Sequence, residues 1–292
     1  MTERTVALFP GQGIPAKEVL SALPEKHALL DVANAVVGHD IKRKVEVASR
    51  RGNQPLPTSV AQTAIFAAGM IAWNDAPAHE RAVDFLAGHS LGEYTALVAG
   101  GAMTFETGMA VVEARGRAMQ IAARAAGGGM AALLGFSLAE AENIAAQSGA
   151  VVANDNAPNQ VVISGSEESL TEAAAAARSR GGRAVLLQVS GSFHSPSMDP
   201  AVFGLQKALD YAEVGMPEIP VVSNVTARPY RSPGEIRKLL TQQLTGKVRF
   251  RESVNWLADS GVGSCHDFGP GRVVAGLFAR TIEHREAARA GS

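Results

Sequence analysis

The segment Gly88-His-Ser-Leu-Gly92 has the G-x-S-x-G spacing of a nucleophile elbow, where a serine hydroxyl is raised between a strand and a helix. Its setting fits. Val83-Asp-Phe-Leu-Ala87 reads as a short buried strand, and an apolar helical stretch runs on through Val98. The glycines allow a sharp turn without a Cβ clash. The Leu91 N–H, at the positive end of the helix, can stabilise an oxyanion, so the chemistry suggested is attack on an acyl carbon. The plainer alternative is a glycine-rich turn in which Ser90 only caps a helix.

A serine needs a base. Of seven histidines, His27, His39, His79 and His284 fall in polar segments that read as exposed, and His266 sits in a strand-like stretch and reads as structural. His89 adjoins the serine, but at an elbow its side chain points elsewhere. His194 lies in the small-residue loop Ser190-Gly-Ser-Phe-His-Ser-Pro196, which can approach another loop closely. It is the leading candidate, with a surface-loop histidine as the alternative. A triad would also need a carboxylate. Asp155 is the main loop aspartate between the two, but it falls in a separate unit. A dyad whose histidine is held by a backbone carbonyl needs fewer assumptions.

Other chemistries find little support. No histidine and cysteine spacing matches a zinc site, Gly127-Gly-Gly129 lacks a P-loop lysine, and Gly11-Gln-Gly13 lacks the third glycine of a dinucleotide fingerprint. No metal or redox cofactor is expected. Gly269-Pro-Gly271 reads as a tight turn before a helix rather than an anion site.

The elements around these residues alternate. Thr5 to Phe9 reads as a strand, Pro57 to Trp73 as a buried helix, and Thr104 caps a long helix that Gly127 ends. Met130–Leu134, a capped helix from Ser137, Val151–Ala153, Gln160–Ser164, a helix capped by Ser166 and Arg183–Val189 follow. The two middle strands flank an Asn/Asp/Pro turn. That β-α-β-β-α-β order is the ferredoxin-like pattern. Helices over Pro200–Glu213, Gly234–Leu244 and Glu252–Ser260, strands over Ile219–Ser223 and Ser264–Phe268, and a last helix after Gly271 complete an α/β body with a mostly parallel sheet. Residues 1–122 and 197–292 are expected to form the large subdomain, and residues 123–196 the inserted small one.

The chain has 292 residues, 46% hydrophobic and 5% aromatic, with a formal net charge of -1. It has no global field to attract nucleic acid or an anionic membrane surface. Cys265 is the only cysteine, so no internal disulfide forms. No apolar run approaches the roughly 20 residues of a membrane helix, and the N-terminus does not read as a signal peptide. A cytoplasmic location is expected.

Phe9-Pro-Gly-Gln-Gly13, Gly88-His-Ser-Leu-Gly-Glu-Tyr94, Val111-Val-Glu-Ala-Arg-Gly-Arg-Ala-Met-Gln120, Gln160-Val-Val-Ile-Ser-Gly165, Phe193-His194 and Phe268-Gly-Pro-Gly271 occur in one order. Together they resemble the malonyl-CoA:acyl-carrier-protein transacylases and the acyltransferase domains of fatty acid and polyketide synthases, from about Thr5 to Ile282. The resemblance implies a hydrolase-like large subdomain. It implies ping-pong transfer of malonyl from coenzyme A to the phosphopantetheine thiol of an acyl carrier protein, through a Ser90 ester with His194 as base. Gln12 and Leu91 would form the oxyanion hole, and the Gln243 carbonyl would orient the histidine. Arg115 would pair with the malonyl carboxylate, a planar fork that lysine does not reproduce, with Phe193 and Gln62 also in the substrate site. A monomer is implied.

Rival readings are a serine thioesterase that clears carrier proteins, a non-catalytic binder of carrier protein or acyl-CoA, and a carrier-to-carrier transacylase for another acyl group. Arg237, Lys238, Lys247, Arg249 and Arg251 are candidates for a basic face toward an acidic carrier. Where the family continues its first motif with Ser-Gln, this chain has Ile14-Pro15-Ala16-Lys17, and Thr63 replaces a common proline. Both changes bear on acyl-chain tolerance and on the carrier partner.

Overall fold

A computed structural model describes residues 3–50 and 54–290. The first half runs β1 (Arg4–Phe9), α1 (Ala16–Ser21), α2 (Ala28–Val37), α3 (Ile41–Ser49), α4 (Thr58–Asp75), α5 (Ala78–Arg81), β2 (Phe85–Gly88), α6 (Leu91–Ala99) and α7 (Phe105–Ala126). Next come β3 (Gly129–Leu134), α8 (Leu138–Gln147), β4 (Val151–Ala157), β5 (Gln160–Gly165), α9 (Glu167–Ser179) and β6 (Arg183–Leu186). The chain closes with α10 (Asp199–Tyr211), β7 (Val221–Val222), α11 (Pro233–Gln243), α12 (Phe250–Asp259), β8 (Val262–Asp267) and α13 (Val273–Ala290).

Two sheets result. One has the order β7-β2-β1-β8 with every pairing parallel, and the other β4-β5-β3-β6 with every pairing antiparallel. The second puts the first and third strands of the β-α-β-β-α-β unit at its centre, as the ferredoxin-like pattern requires. The α/β class and its large and small subdomains are therefore as expected. The helix caps are too: Thr104, Ser137 and Ser166 each accept a backbone N–H of the first turn, and Ser137 with Glu140 closes a capping box.

The core of the large subdomain is α4, buried on nearly every side, as a helix of small and apolar residues must be. It packs on α7, where Gly108 permits the approach. A Cβ there would meet Phe66 Cζ of α4 at 3.0 Å and Val98 Cγ2 of α6 at 2.3 Å. No helix among the described residues is long and apolar enough to cross a membrane.

Several expectations need correction. The turn read around Asn154, Asp155 and Asn156 is strand: β4 runs through all three, and the chain reverses at Pro158-Asn159. Partners outside the sheet make those polar residues tolerable. Val248 pairs with Asn154 and exchanges backbone hydrogen bonds with Ala153 and Asp155, while Arg251 grips the Asp155 carboxylate through Nε (2.8 Å) and Nη2 (2.9 Å). The strands read over Arg183–Val189 and Ile219–Ser223 shorten to β6 and β7, each an edge of its sheet. The boundary at 122/123 falls inside α7; the chain crosses to the small sheet at Gly127 and Gly128, both at positive φ. Helices α1 to α3 fill a stretch where no elements were read.

Candidate active site

β2 ends at Gly88 and α6 begins at Leu91, so the turn between them is tight. A Cβ on Gly88 would lie 1.9 Å from the Gly92 carbonyl carbon, and one on Gly92 would lie 2.0 Å from Phe9 O. Only glycine fits at either place. Ser90 sits between them at φ 52° and ψ -103°, a conformation that L-residues avoid. Asn224 clamps the turn on both sides. Its Oδ1 accepts the Ser90 N–H (2.7 Å) and its Nδ2 donates to Gly88 O (2.7 Å).

The Ser90 hydroxyl meets His194 Nε2 at 2.8 Å. His194, also at positive φ (55°), lies in the loop after β6, and its Nδ1 is 2.8 Å from the Gln243 carbonyl. A carbonyl only accepts, so Nδ1 carries the proton and Nε2 turns its lone pair to the serine. Burial first, and the Arg115 charge second, push the His194 pKa down to about 3, so the ring is neutral. It is poised to accept a proton.

Arg115 projects from α7 and is fully buried. Nη1 donates to Gln62 Oε1 (2.8 Å); Nη2 donates to Ser90 Oγ (3.0 Å) and to Gln243 Oε1 (3.0 Å). The guanidinium carbon lies 5.1 Å from the centre of the Tyr94 ring. Nε, buried, has no hydrogen-bond partner. No carboxylate among the described residues pairs with this cation. Leaving a buried charge unpaired is costly, and Nε, the atom left without a partner here, is one of the two through which Arg251 grips Asp155.

A cavity of ≈ 210 Å³ opens onto Ser90 and His194, with Gln12, Gly13, His89 and Phe193 on its wall. A second of similar volume adjoins it past Gln12, Ile14 and Phe193 and reaches Gln54, Thr58 and Leu186. Ile14, one of the family departures, lines both. The structure thus gathers Ser90, His194, Gln12, Leu91, Arg115, Phe193, Gln62 and Gln243 around one point. Gln12 and Phe193 face the cavity, while Gln62 and Gln243 stand behind Ser90 and hold Arg115.

Two further residues join the site. Glu93 lies within Gly88-His-Ser-Leu-Gly-Glu-Tyr94, where the sequence alone gives it no role; it is fully buried against Gln243 and Tyr230. Asn224 directly follows the predicted strand Ile219–Ser223, the only signal it gave. His89 points away from the serine, as expected, to Asn156 Oδ1 (2.7 Å).

The basic candidates are mostly occupied. Arg249 pairs with Glu252, Arg251 with Asp155 and Lys247 with Glu142, while Arg237 caps the Leu209 and Ala212 carbonyls.

An elbow serine on a parallel sheet, hydrogen-bonded to a neutral histidine and walled by a small antiparallel sheet, defines a class of two-subdomain α/β acyltransferases. The chain belongs to the acyl transferase domain family, whose model matches residues 7–290. It is 36% identical over 283 residues to the malonyl CoA-acyl carrier protein transacylase of Bacillus subtilis, covering 94% of this chain and 89% of that one. It is 34% identical to a polyketide biosynthesis malonyl CoA-acyl carrier protein transacylase of Bacillus velezensis, covering 97% and 98%. Among solved structures, the malonyl-CoA:acyl carrier protein transacylase of Xanthomonas oryzae superposes with a TM-score of 0.87 at 36% identity, covering 97% and 93%. A type II PKS acyl-carrier protein in complex with its malonyl-transacylase also matches, with a TM-score of 0.83 at 32% identity, covering 96% and 93%.

Proposed function

We propose that this chain moves a malonyl group from malonyl-CoA to the phosphopantetheine thiol of an acyl carrier protein. Ser90 Oγ attacks the thioester carbon and gives its proton to His194 Nε2. The oxyanion rests on the N–H groups of Gln12 and Leu91. The C–S bond breaks, and His194 returns the proton to the departing coenzyme A thiolate. The carrier's thiol then gives its proton to His194 and attacks the Ser90 ester, and Ser90 leaves with that proton. No metal or redox cofactor is required.

The observation that carries the malonyl reading is the buried Arg115 charge beside Ser90 Oγ, which no carboxylate among the described residues neutralises and whose Nε has no hydrogen-bond partner. A carboxylate on the acyl group satisfies it, and acetyl does not. Gln62 steadies the far side of Arg115, and Phe193 walls the acyl group. The relatives' names and the carrier-protein complex support a carrier as acceptor. A hydrolase triad is less economical, since a carbonyl takes the Nδ1 proton and Arg251 holds Asp155.

The test is intact-protein mass spectrometry after brief incubation with malonyl-CoA or acetyl-CoA. Wild type should gain a malonyl adduct, Ser90→Ala none, and Arg115→Ala should shift toward acetyl. Coenzyme A release without an adduct, or labelling only by another acyl donor, would overturn the reading.

A further inference from the structure

Glu93 is a carboxylate with no assigned task at the centre of the site. It lies one turn into α6 from Ser90 and points inward, fully buried. Oε2 accepts from Gln243 Nε2 (2.6 Å) and from the Asn224 N–H (3.2 Å), and Oε1 accepts from the Tyr230 hydroxyl. Burying a carboxylate costs stability, so a helix interior does not keep one without return.

We propose that Glu93 is a positioning residue that makes the site read the acyl carboxylate, by fixing the side-chain amide of Gln243. The inference rests on the malonyl reading above. The Gln243 amide has two ends. Its Nε2 donates to Glu93 and to Ser90 O (2.9 Å), which leaves Oε1 to accept Arg115 Nη2. Turned over, the amide would set its NH2 against the guanidinium, donor against donor. The Glu93 acceptor forbids that arrangement and so holds Nη2 where it reaches Ser90 Oγ.

The same residue's backbone carbonyl holds His194 Nδ1, so Gln243 touches the base and the cation together. Through the Asn224 N–H, Glu93 also seats the side chain that clamps the elbow. One carboxylate therefore stands behind serine, histidine and arginine while touching none of them.

Burial raises the Glu93 carboxyl to about 7, so its protonation changes near neutrality. The titratable groups around it are Tyr230, from the segment before α11, Tyr94 on its own helix, and Arg115 from α7. Tyr94 and Tyr230 titrate far above this range. Protonation removes part of the acceptor that orients Gln243, so the preference for a carboxylate-bearing acyl group should weaken on the acid side.

The experiment measures kcat/KM for Ser90 acylation by malonyl-CoA and by acetyl-CoA from pH 5.5 to 8.5. It uses wild type, Glu93→Ala and Glu93→Gln, with thermal melting to confirm folding. Wild type should prefer malonyl, with a ratio that rises through about pH 7. Glu93→Ala should lower the ratio at least about tenfold, with the loss falling mainly on malonyl, as expected when a charge-assisted hydrogen bond is misplaced. Glu93→Gln keeps a carbonyl for Gln243 Nε2 but, like the protonated carboxyl, no charge, so it should hold at every pH the ratio that wild type shows at its acid limit, above that of Glu93→Ala and with the pH step gone.

Equal losses for both substrates in Glu93→Ala would reduce Glu93 to a support for the elbow and overturn the proposal. Should Glu93→Ala not fold, a pH step that persists in Glu93→Gln would overturn it as well. A wild type with no malonyl preference would sink the malonyl reading and this inference together. Preference in wild type with an unchanged ratio in the variants would sink only this one.

Discussion

Arg115 Nη2 donates to Ser90 Oγ at 3.0 Å, so the hydroxyl facing the histidine is also held by a buried cation. That contact has two effects on the dyad. It steers the serine lone pairs, and its charge helps keep His194 neutral. A carboxylate arriving on the acyl group offsets the charge as the imidazolium forms, so discrimination against acetyl should appear in kcat as well as KM.

Arg115→Ala should therefore lower malonyl acylation on the order of 10- to 100-fold, the value of a charged hydrogen bond. Arg115→Lys should rescue it poorly, since an ammonium lacks the planar fork. Rapid-quench acylation with both donors decides this, and a fully active lysine variant would count against bidentate recognition.

Stability should depend on pH through two opposed groups. His194 titrates at about 3 when folded and near 6.5 when unfolded, so acidification below 6.5 protonates the unfolded chain first and removes stability. Glu93 titrates at about 7 when folded and near 4.5 when unfolded, so the folded state binds the proton first and gains stability as pH falls from 7 to 4.5. The two nearly cancel in wild type. Urea midpoints at pH 7.5 and pH 5 should thus fall for Glu93→Gln and rise for His194→Asn; parallel behaviour in both variants would contradict the assignment.

Ser90→Gly should abolish acylation and still raise the melting temperature, because glycine adopts φ 52° freely. The gain should be about 1 kcal/mol, the usual size of such strain. Calorimetry showing a less stable glycine variant would mean the elbow is not strained.

Asp155→Asn should cost about 2 kcal/mol by denaturant titration. Arg251 loses a charged partner, but it is partly exposed and solvent softens the loss. Acylation should fall as well, since β4 would shift relative to Val248 and Asn224. A variant with full activity and wild-type stability would show the ion pair to be incidental.

Much of this site was legible because its parts are local. Thr104, Ser137 and Ser166 announce their helices within four residues, and Gly88 and Gly92 announce the elbow. His194 is marked by its small-residue loop Ser190–Pro196, and Arg115 only by the motif resemblance. The polar run Asn154-Asp-Asn156 misled because its partners, Val248, Arg251 and His89, are far away in sequence. Local composition reads such residues as a turn, and only tertiary contacts make them a strand. Glu93 was missed for the same reason: its neighbours Tyr230 and Gln243 lie more than a hundred residues on.

His194 is held from both sides of the junction between the two sheets. Ser164 of β5 donates to the carbonyl of Phe193, the residue before it, while Gln243 takes the imidazole. Ser90 follows β2 of the parallel sheet. The two partners of the dyad therefore answer to different sheets, and the 2.8 Å contact between them registers how those sheets sit together. A misplacement of about 1 Å at such a contact is enough to cost activity, so substitutions along the seam between the sheets bear on catalysis without touching either residue.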